Sequence, residues 1–362
     1  MLSIAKPTLL LDEQKCRENI QRMAEKADRN NVFFRPHFKT HQSLEVGRWF
    51  KEYGVTAITV SSIEMANYFA QEWDDITVAF PVNLLETSVI NNLASRVKLN
   101  LLLESKTAAA FLAKELTVDV GCFLKIDTGY HRTGLDPENI AEIQEIADVF
   151  ANSKYMNFKG FLTHSGHTYT AKDTGSIRQI HERSTEVLLH LKALYIDRFP
   201  ELIISIGDTP GCSIAEDFAG IDEIRPGNFV FYDLMQTQLG SNSIGDIAVC
   251  MACPVVAVHP KRNELIIYGG AVHFSKEFLE VTDGERNYGQ VAKPGNPGWG
   301  EPVPGMQLVK LSQEHGTISV PESLRDAYLP GDIIHILPVH SCLTANLQPS
   351  FTLLSGNEIP KF

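Results

Sequence analysis

The chain has 362 residues, enough for two domains or for one barrel with an appendage, at roughly 150 residues per domain. Hydrophobic residues make up 44% and charged residues 21%, a globular balance that excludes a disordered or fibrous chain. Lysine and arginine number 32 against 44 acidic residues, a formal charge of −12. Nucleic acid and anionic membranes both call for a basic surface, so neither is an expected partner.

The longest apolar run, residues 247–258, is too short to span a bilayer, which takes about 18 residues or more. The opening residues MLSIAKPTLLLDEQ show no basic segment followed by an apolar stretch, so no signal peptide is expected. Cys16, Cys122, Cys212, Cys250, Cys253 and Cys342 are scattered, which fits a reduced, cytoplasmic compartment.

In chain order, Asp12 is placed to cap a helix whose apolar face is Cys16, Ile20, Met23, Ala24 and Ala27. Strand patterns follow at 31–34 (NVFF), 56–60 (TAITV), 76–80 (ITVAF), 97–102 (VKLNLL), 122–126 (CFLKI), 159–162 (KGFL), 202–206 (LIISI) and around Ile224. They are short and apolar throughout, as strands covered on both faces should be. Helical patterns fill the gaps, and Asp136-Pro137 reads as the start of one. Eight alternations predict a (β/α)8 TIM-type barrel, an α/β fold, over residues 1–240. A doubly wound open sheet is the alternative. The last third, 241–362, reads as a smaller β domain with Gly/Pro-rich breaks such as KPGNPGWGEPVPG.

Function in a barrel collects just past the strand ends. After the first strand stands Lys39, between His37, Phe38 and His41, and suited to a Schiff base or simply solvated. After the fifth come Lys125 and Asp127 in KIDTGYHRTG, and after the sixth His164, His167 and Tyr169. The two histidines lack a third metal ligand nearby, and His164 suits packing on a flat cofactor. After the seventh and eighth come GDTPG, with Thr209, and RPGN, with Arg225, Gly227 and Asn228. Glycine-rich turns there can cradle a phosphate, although each alone is a common turn. A Schiff-base lysine with a phosphate cradle implies pyridoxal 5'-phosphate (PLP).

In the β domain, His340 and Cys342 share a face if the chain is extended there, and nitrogen with sulfur suits zinc with open positions. The plainer reading is a buried histidine and a free core cysteine. Cys250 and Cys253 read as core packing, and Glu314-His315 as a turn or an acid/base candidate.

The motifs PHFKTH, KIDTGYHRTG, LTHSGHTY, GDTPG, RPGNFVFYD, QEHG and PVHSC occur in this order over nearly the whole chain. Together they resemble the fold-type III PLP enzymes of the D-serine dehydratase and D-threonine aldolase family, related to the N-terminal barrel of alanine racemase. The resemblance implies that Lys39 carries PLP, that Thr209, Gly227 and Asn228 bind its phosphate, and that His164 packs beside its ring. It places Tyr169 in the same pocket. It sets Arg225 against the pyridine nitrogen, which keeps that nitrogen unprotonated and weakens the electron sink. It makes His340 and Cys342 zinc ligands, as in the dehydratases, whereas the aldolases carry a carboxylate two residues after the metal histidine. Phe229 stands where many relatives have tyrosine. The implied activity is PLP- and zinc-dependent conversion of a D-3-hydroxy amino acid, D-serine, to pyruvate and ammonia, with Lys39 as base. The alternatives are retro-aldol cleavage to glycine and an aldehyde, a racemase, and a PLP-binding protein without turnover. The implied partners are a small D-amino acid and a second copy of the chain in a homodimer.

Overall fold

Strand β1 (Thr8–Leu11) leads into the helix Glu13–Arg29 in the computed structural model, which describes residues 2–281 and 284–362. Asp12 Oδ1 accepts from the Lys15 amide at 3.1 Å and caps this helix, and Cys16, Ile20, Met23 and Ala27 are buried along one face. Then come the eight strands of a parallel sheet: β2 (Phe33–Phe34), β3 (Ile58–Val60), β4 (Asp75–Pro81), β5 (Lys98–Leu103), β6 (Val120–Lys125), β7 (Met156–Leu162), β8 (Ile203–Ile206) and β9 (Glu223–Ile224). The order is β2-β9-β8-β7-β6-β5-β4-β3. A parallel bridge between His37 and Thr59 ties the two outer strands, with the Phe38 amide donating to Thr59 O at 2.8 Å. The sheet thus closes as the predicted barrel. Every residue of β3 and β6 is buried, as a sheet covered on both faces requires. The helix expected at Asp136-Pro137 begins three residues later: Asn139 caps Ile140–Asn152, and Asp136 Oδ1 instead takes the Glu138 amide in a turn.

The second sheet has nine strands: β1, β10 (Val249–His259), β11 (Glu264–Tyr268), β14 (Gly289–Pro294), β15 (Trp299–Leu311), β16 (His315–Ser319), β17 (Ile333–Pro338), β18 (Ser350–Leu353) and β19 (Glu358–Pro360). A small ribbon of β12 (Leu279–Glu280) and β13 (Arg286–Asn287) stands apart from it. Pairing is antiparallel throughout the nine strands except between β1 and β18. The Gly/Pro-rich stretch read as a break is largely strand. Pro302 pairs with Ala292 of β14, while pairing of β15 with β16 starts only at Gln307. The prolines therefore lie where β15 has one neighbour, an edge position that tolerates their missing N–H groups.

The chain divides into two compact units. One comprises Gln21–Lys39 and Gly47–Gly227 with Phe362, the barrel. The other comprises the chain up to Ile20, Thr40–Val46 and Asn228–Lys361, the antiparallel sheet and its loops. A single cut at residue 240 does not follow this division, because β1 pairs with β10, Leu11 facing Val249, and so joins the later sheet. Among the described residues no helix is long and apolar enough to cross a membrane.

Candidate active site

Within the barrel unit, strand ends β7, β8 and β9 bring predicted residues together. Arg225 is buried just past β9. Its Nε donates to Ser205 Oγ and its Nη2 to Thr163 O, each at 2.6 Å. Burial lowers its pKa to about 10, opposed by Glu223, and it stays charged at neutral pH. His164 Nδ1 donates to Gly207 O at 2.5 Å, so the neutral ring carries its proton on that nitrogen. Burial and then the nearby Lys39 charge push this imidazole well below its usual range. Tyr169 lies in the 3₁₀ turn Gly166–Thr170, and its hydroxyl accepts from the Thr209 amide at 3.4 Å. Lys39 is exposed, and its amide donates to His37 Nδ1 at 3.3 Å. Gly227 is buried two residues past Arg225.

Gly207 admits no side chain, since a Cβ there would lie 2.9 Å from Arg225 Cβ and 3.0 Å from Arg225 O. An amine, a bare strand end and a buried guanidinium fit a phosphorylated aromatic aldehyde such as PLP. Lys125 is buried at the end of β6, and burial with the Arg132 and Arg225 charges pushes it down to about 8. Asp127 closes its own loop by accepting from the Gly129 and His131 amides at 3.0 Å. A cavity of about 380 Å³ lined by Arg178, His181 and Glu216 holds none of the predicted residues.

Sequence reading missed what supports Arg225. Ser205 Oγ donates to Glu223 Oε1 at 2.6 Å, Glu223 Oε2 pairs with Arg35 Nε at 2.5 Å, and Arg35 Nη1 pairs with Asp75 Oδ1 at 2.5 Å. Arg35, Glu223 and Arg225 are all buried. Single charged residues in apolar strands gave no local signal of this chain of ion pairs.

Within the antiparallel unit, the expected extended geometry of His340 and Cys342 is corrected. Strand β17 stops at Pro338, His340 is the cap of the helix Ser341–Asn346, and Cys342 lies in its first turn. The two side chains are nonetheless neighbours: burial opposes the His340 cation, but the adjacent Cys342 sulfur, with Asp233 and Glu277, raises its pKa to about 9. Cys342 Sγ also lies 3.2 Å from Thr40 Oγ1 and 3.5 Å from Asn228 Nδ2. The Asn228 side chain, read as a phosphate contact, is thus turned to Cys342, Asp233 and Ser341. Its Oδ1 is buried without a partner among the described residues. Among those residues no group of three or more His, Cys, Asp and Glu could hold a metal. The nitrogen and sulfur of the pair are donors of the kind zinc takes, and the buried Asn228 Oδ1 beside them is an acceptor for one hydrogen-bond donor. Cys250 and Cys253 are buried and free, as core packing predicts. Glu314 stands 4.0 Å from His273 Nε2.

Comparison with known proteins splits the chain near residue 240 rather than along the two units. Residues 11–234 match the family described as alanine racemase, N-terminal domain, and residues 248–354 match a serine dehydratase domain. The chain is 30% identical to the D-serine dehydratase of Dictyostelium discoideum, over 97% of this chain and 93% of that protein. It is similar to the solved D-threo-3-hydroxyaspartate dehydratase of Delftia sp. HT23, with 25% identity, a TM-score of 0.92 and coverage of 99% and 98% of the two chains. Solved mutants of that enzyme include a cysteine-to-alanine form described as metal-free and a histidine-to-alanine form two positions earlier. Alanine racemase of Clostridium difficile 630 shares the fold at 12% identity and a TM-score of 0.69, over 98% of each chain. The chain belongs to the family of fold-type III PLP-dependent lyases that contains the D-serine dehydratases.

Proposed function

We propose that the protein eliminates water from a D-3-hydroxy amino acid, D-serine, to give pyruvate and ammonia, using PLP on Lys39 and zinc on His340 and Cys342. The observation that supports it best is the neighbouring His340–Cys342 pair, spaced as are the histidine and cysteine mutated in the hydroxyaspartate dehydratase. When bound, PLP supplies an electron sink at Cα and zinc supplies Lewis-acid help to a departing hydroxyl.

The chain's own residues do the rest. Lys39 Nζ takes the Cα proton as general base. Arg225, held by Ser205 and Thr163 and charged at neutral pH, keeps its own proton and cannot hand one to a ring nitrogen. His164, neutral and fixed on Gly207 O, offers a flat uncharged face. Thr209 and Gly227, at the strand ends, form the phosphate turns with the Asn228 main chain, and Tyr169 lines the same pocket.

The deciding assay offers D-serine, D-threonine and their L-enantiomers to the purified protein, with chelator or added zinc, and quantifies pyruvate, glycine and ammonia. Zinc-dependent pyruvate from D-serine is expected. Glycine and an aldehyde from D-threonine would overturn dehydration in favour of retro-aldol cleavage. We further propose a homodimer, on the resemblance to this fold, which a solution mass measurement tests. A cytoplasmic location is proposed from the six free cysteines.

A further inference from the structure

A carboxylate holds the peptide between the two proposed metal ligands. Asp233 is fully buried and caps the helix Leu234–Gln238, its Oδ1 accepting from the Gln236 amide at 2.9 Å. Its Oδ2 takes three donors: Asn228 Nδ2 at 2.6 Å, the Ser341 amide at 2.9 Å and Ser341 Oγ at 3.1 Å. Ser341 is the residue between His340 and Cys342, and Asn228 is the amide that also reaches Cys342 Sγ. Two of the four contacts therefore grip the residue joining the ligands, and a third grips a donor on the sulfur. Among the described residues no lysine or arginine is one of its hydrogen-bond partners. A buried carboxylate is costly, four donors meet only part of that cost, and the imidazole near it, His340, binds a metal only when neutral.

A divalent cation would answer the remainder. Its two positive charges match one from the Cys342 thiolate and one from the Asp233 carboxylate, which leaves His340 neutral as a ligand. We propose that Asp233 is the positioning residue of the metal pair, fixing Ser341 and Asn228 and neutralising the ion without touching it. This rests on the reading of His340 and Cys342 as ligands given above.

The test uses the full chain loaded with PLP. Zinc affinity is measured by competition with a chromophoric chelator, and thiolate ligation is read from the charge-transfer absorbance of added cobalt. Removing an outer-shell partner of a metal ligand costs 10–100-fold in affinity. Asp233→Asn is expected to weaken zinc by about that much, and Ser341→Ala by about tenfold. Both should keep the cobalt–thiolate band at saturating metal and leave the visible absorbance of bound PLP unchanged. Affinity within threefold of wild type in Asp233→Asn, or in Ser341→Ala should the first variant fail to fold, overturns the role of Asp233. A wild-type protein that binds neither metal overturns the ligand reading as well, so the two failures are told apart.

Discussion

Lys39 and Arg225 stand 186 positions apart in sequence, and each lies just past a strand of the barrel; His340 and Cys342 are two positions apart at one strand-to-helix junction. The barrel assembles its chemistry by topology: a parallel sheet puts all its strand ends on one side, so any loop can contribute. The antiparallel unit assembles its pair by local chain geometry and then holds it with long-range contacts from Thr40, Asn228 and Asp233. The two sets should therefore fail separately when damaged.

The largest effects test that separation. Lys39→Ala is expected to lower pyruvate formation by roughly 10³-fold or more, within the range for loss of a positioned base, and to remove the visible absorbance of lysine-bound PLP. Its zinc affinity should stay within threefold of wild type. Cys342→Ala is expected to abolish elimination and zinc binding while PLP remains bound. Full activity in the metal-free protein, or one variant that loses both cofactors, would break the comparison.

Stability separates the units next. Glu223 stands at 1% side-chain exposure against Arg35 at 6%, while the Lys310–Glu264 pair of the antiparallel sheet has its lysine 72% exposed. Glu223→Gln leaves Arg35 and Arg225 short of their buried counter-charge and is expected to cost about 3–5 kcal/mol. Lys310→Ala should cost under about 1 kcal/mol. Thermal unfolding of both variants checks the order, and equal losses would mean that water reaches Glu223.

The same contrast explains what could be read from the sequence. All eight barrel strands were legible: most are short apolar runs such as β3 and β6, buried on both faces, while β9 with Glu223 could be placed only around Ile224. Strand β1 was not, since three leucines beside a helix cap show no alternation and its partner lies at 249–252. The type of the His340–Cys342 pair was legible, but its geometry was not, because the helix there starts where Asp233 draws in the Ser341 amide. Asn228 was visible as part of a glycine turn, and nothing local told that its side chain faces Cys342. Thr40 and Glu223 act through long-range hydrogen bonds, as does Asp233 toward Ser341 beside its local cap, and a sequence pattern does not record such bonds.

The last effect is one of pH and concerns a barrel residue next to the predicted phosphate turn. Asp208 caps the helix Thr209–Ile214, accepting from the Gly211 amide at 2.5 Å and the Thr168 hydroxyl at 2.9 Å. Burial nonetheless pushes its carboxyl from 3.8 up to about 6, with those bonds and Arg225 opposing. A raised carboxyl contributes stability that is fully present below pH 3.8 and lost as pH rises through about 6. At pH 8 the folded protein thus bears the whole cost of a buried charge. Asp208→Asn keeps one acceptor oxygen and removes the charge. Its stability relative to wild type should be higher at pH 8 than at pH 4 by up to about 3 kcal/mol, measured by thermal unfolding at both pH values. A difference that does not change with pH would show that the capping bonds solvate Asp208 as well as water does, and that the barrel mouth tolerates a fixed negative charge beside its phosphate turn.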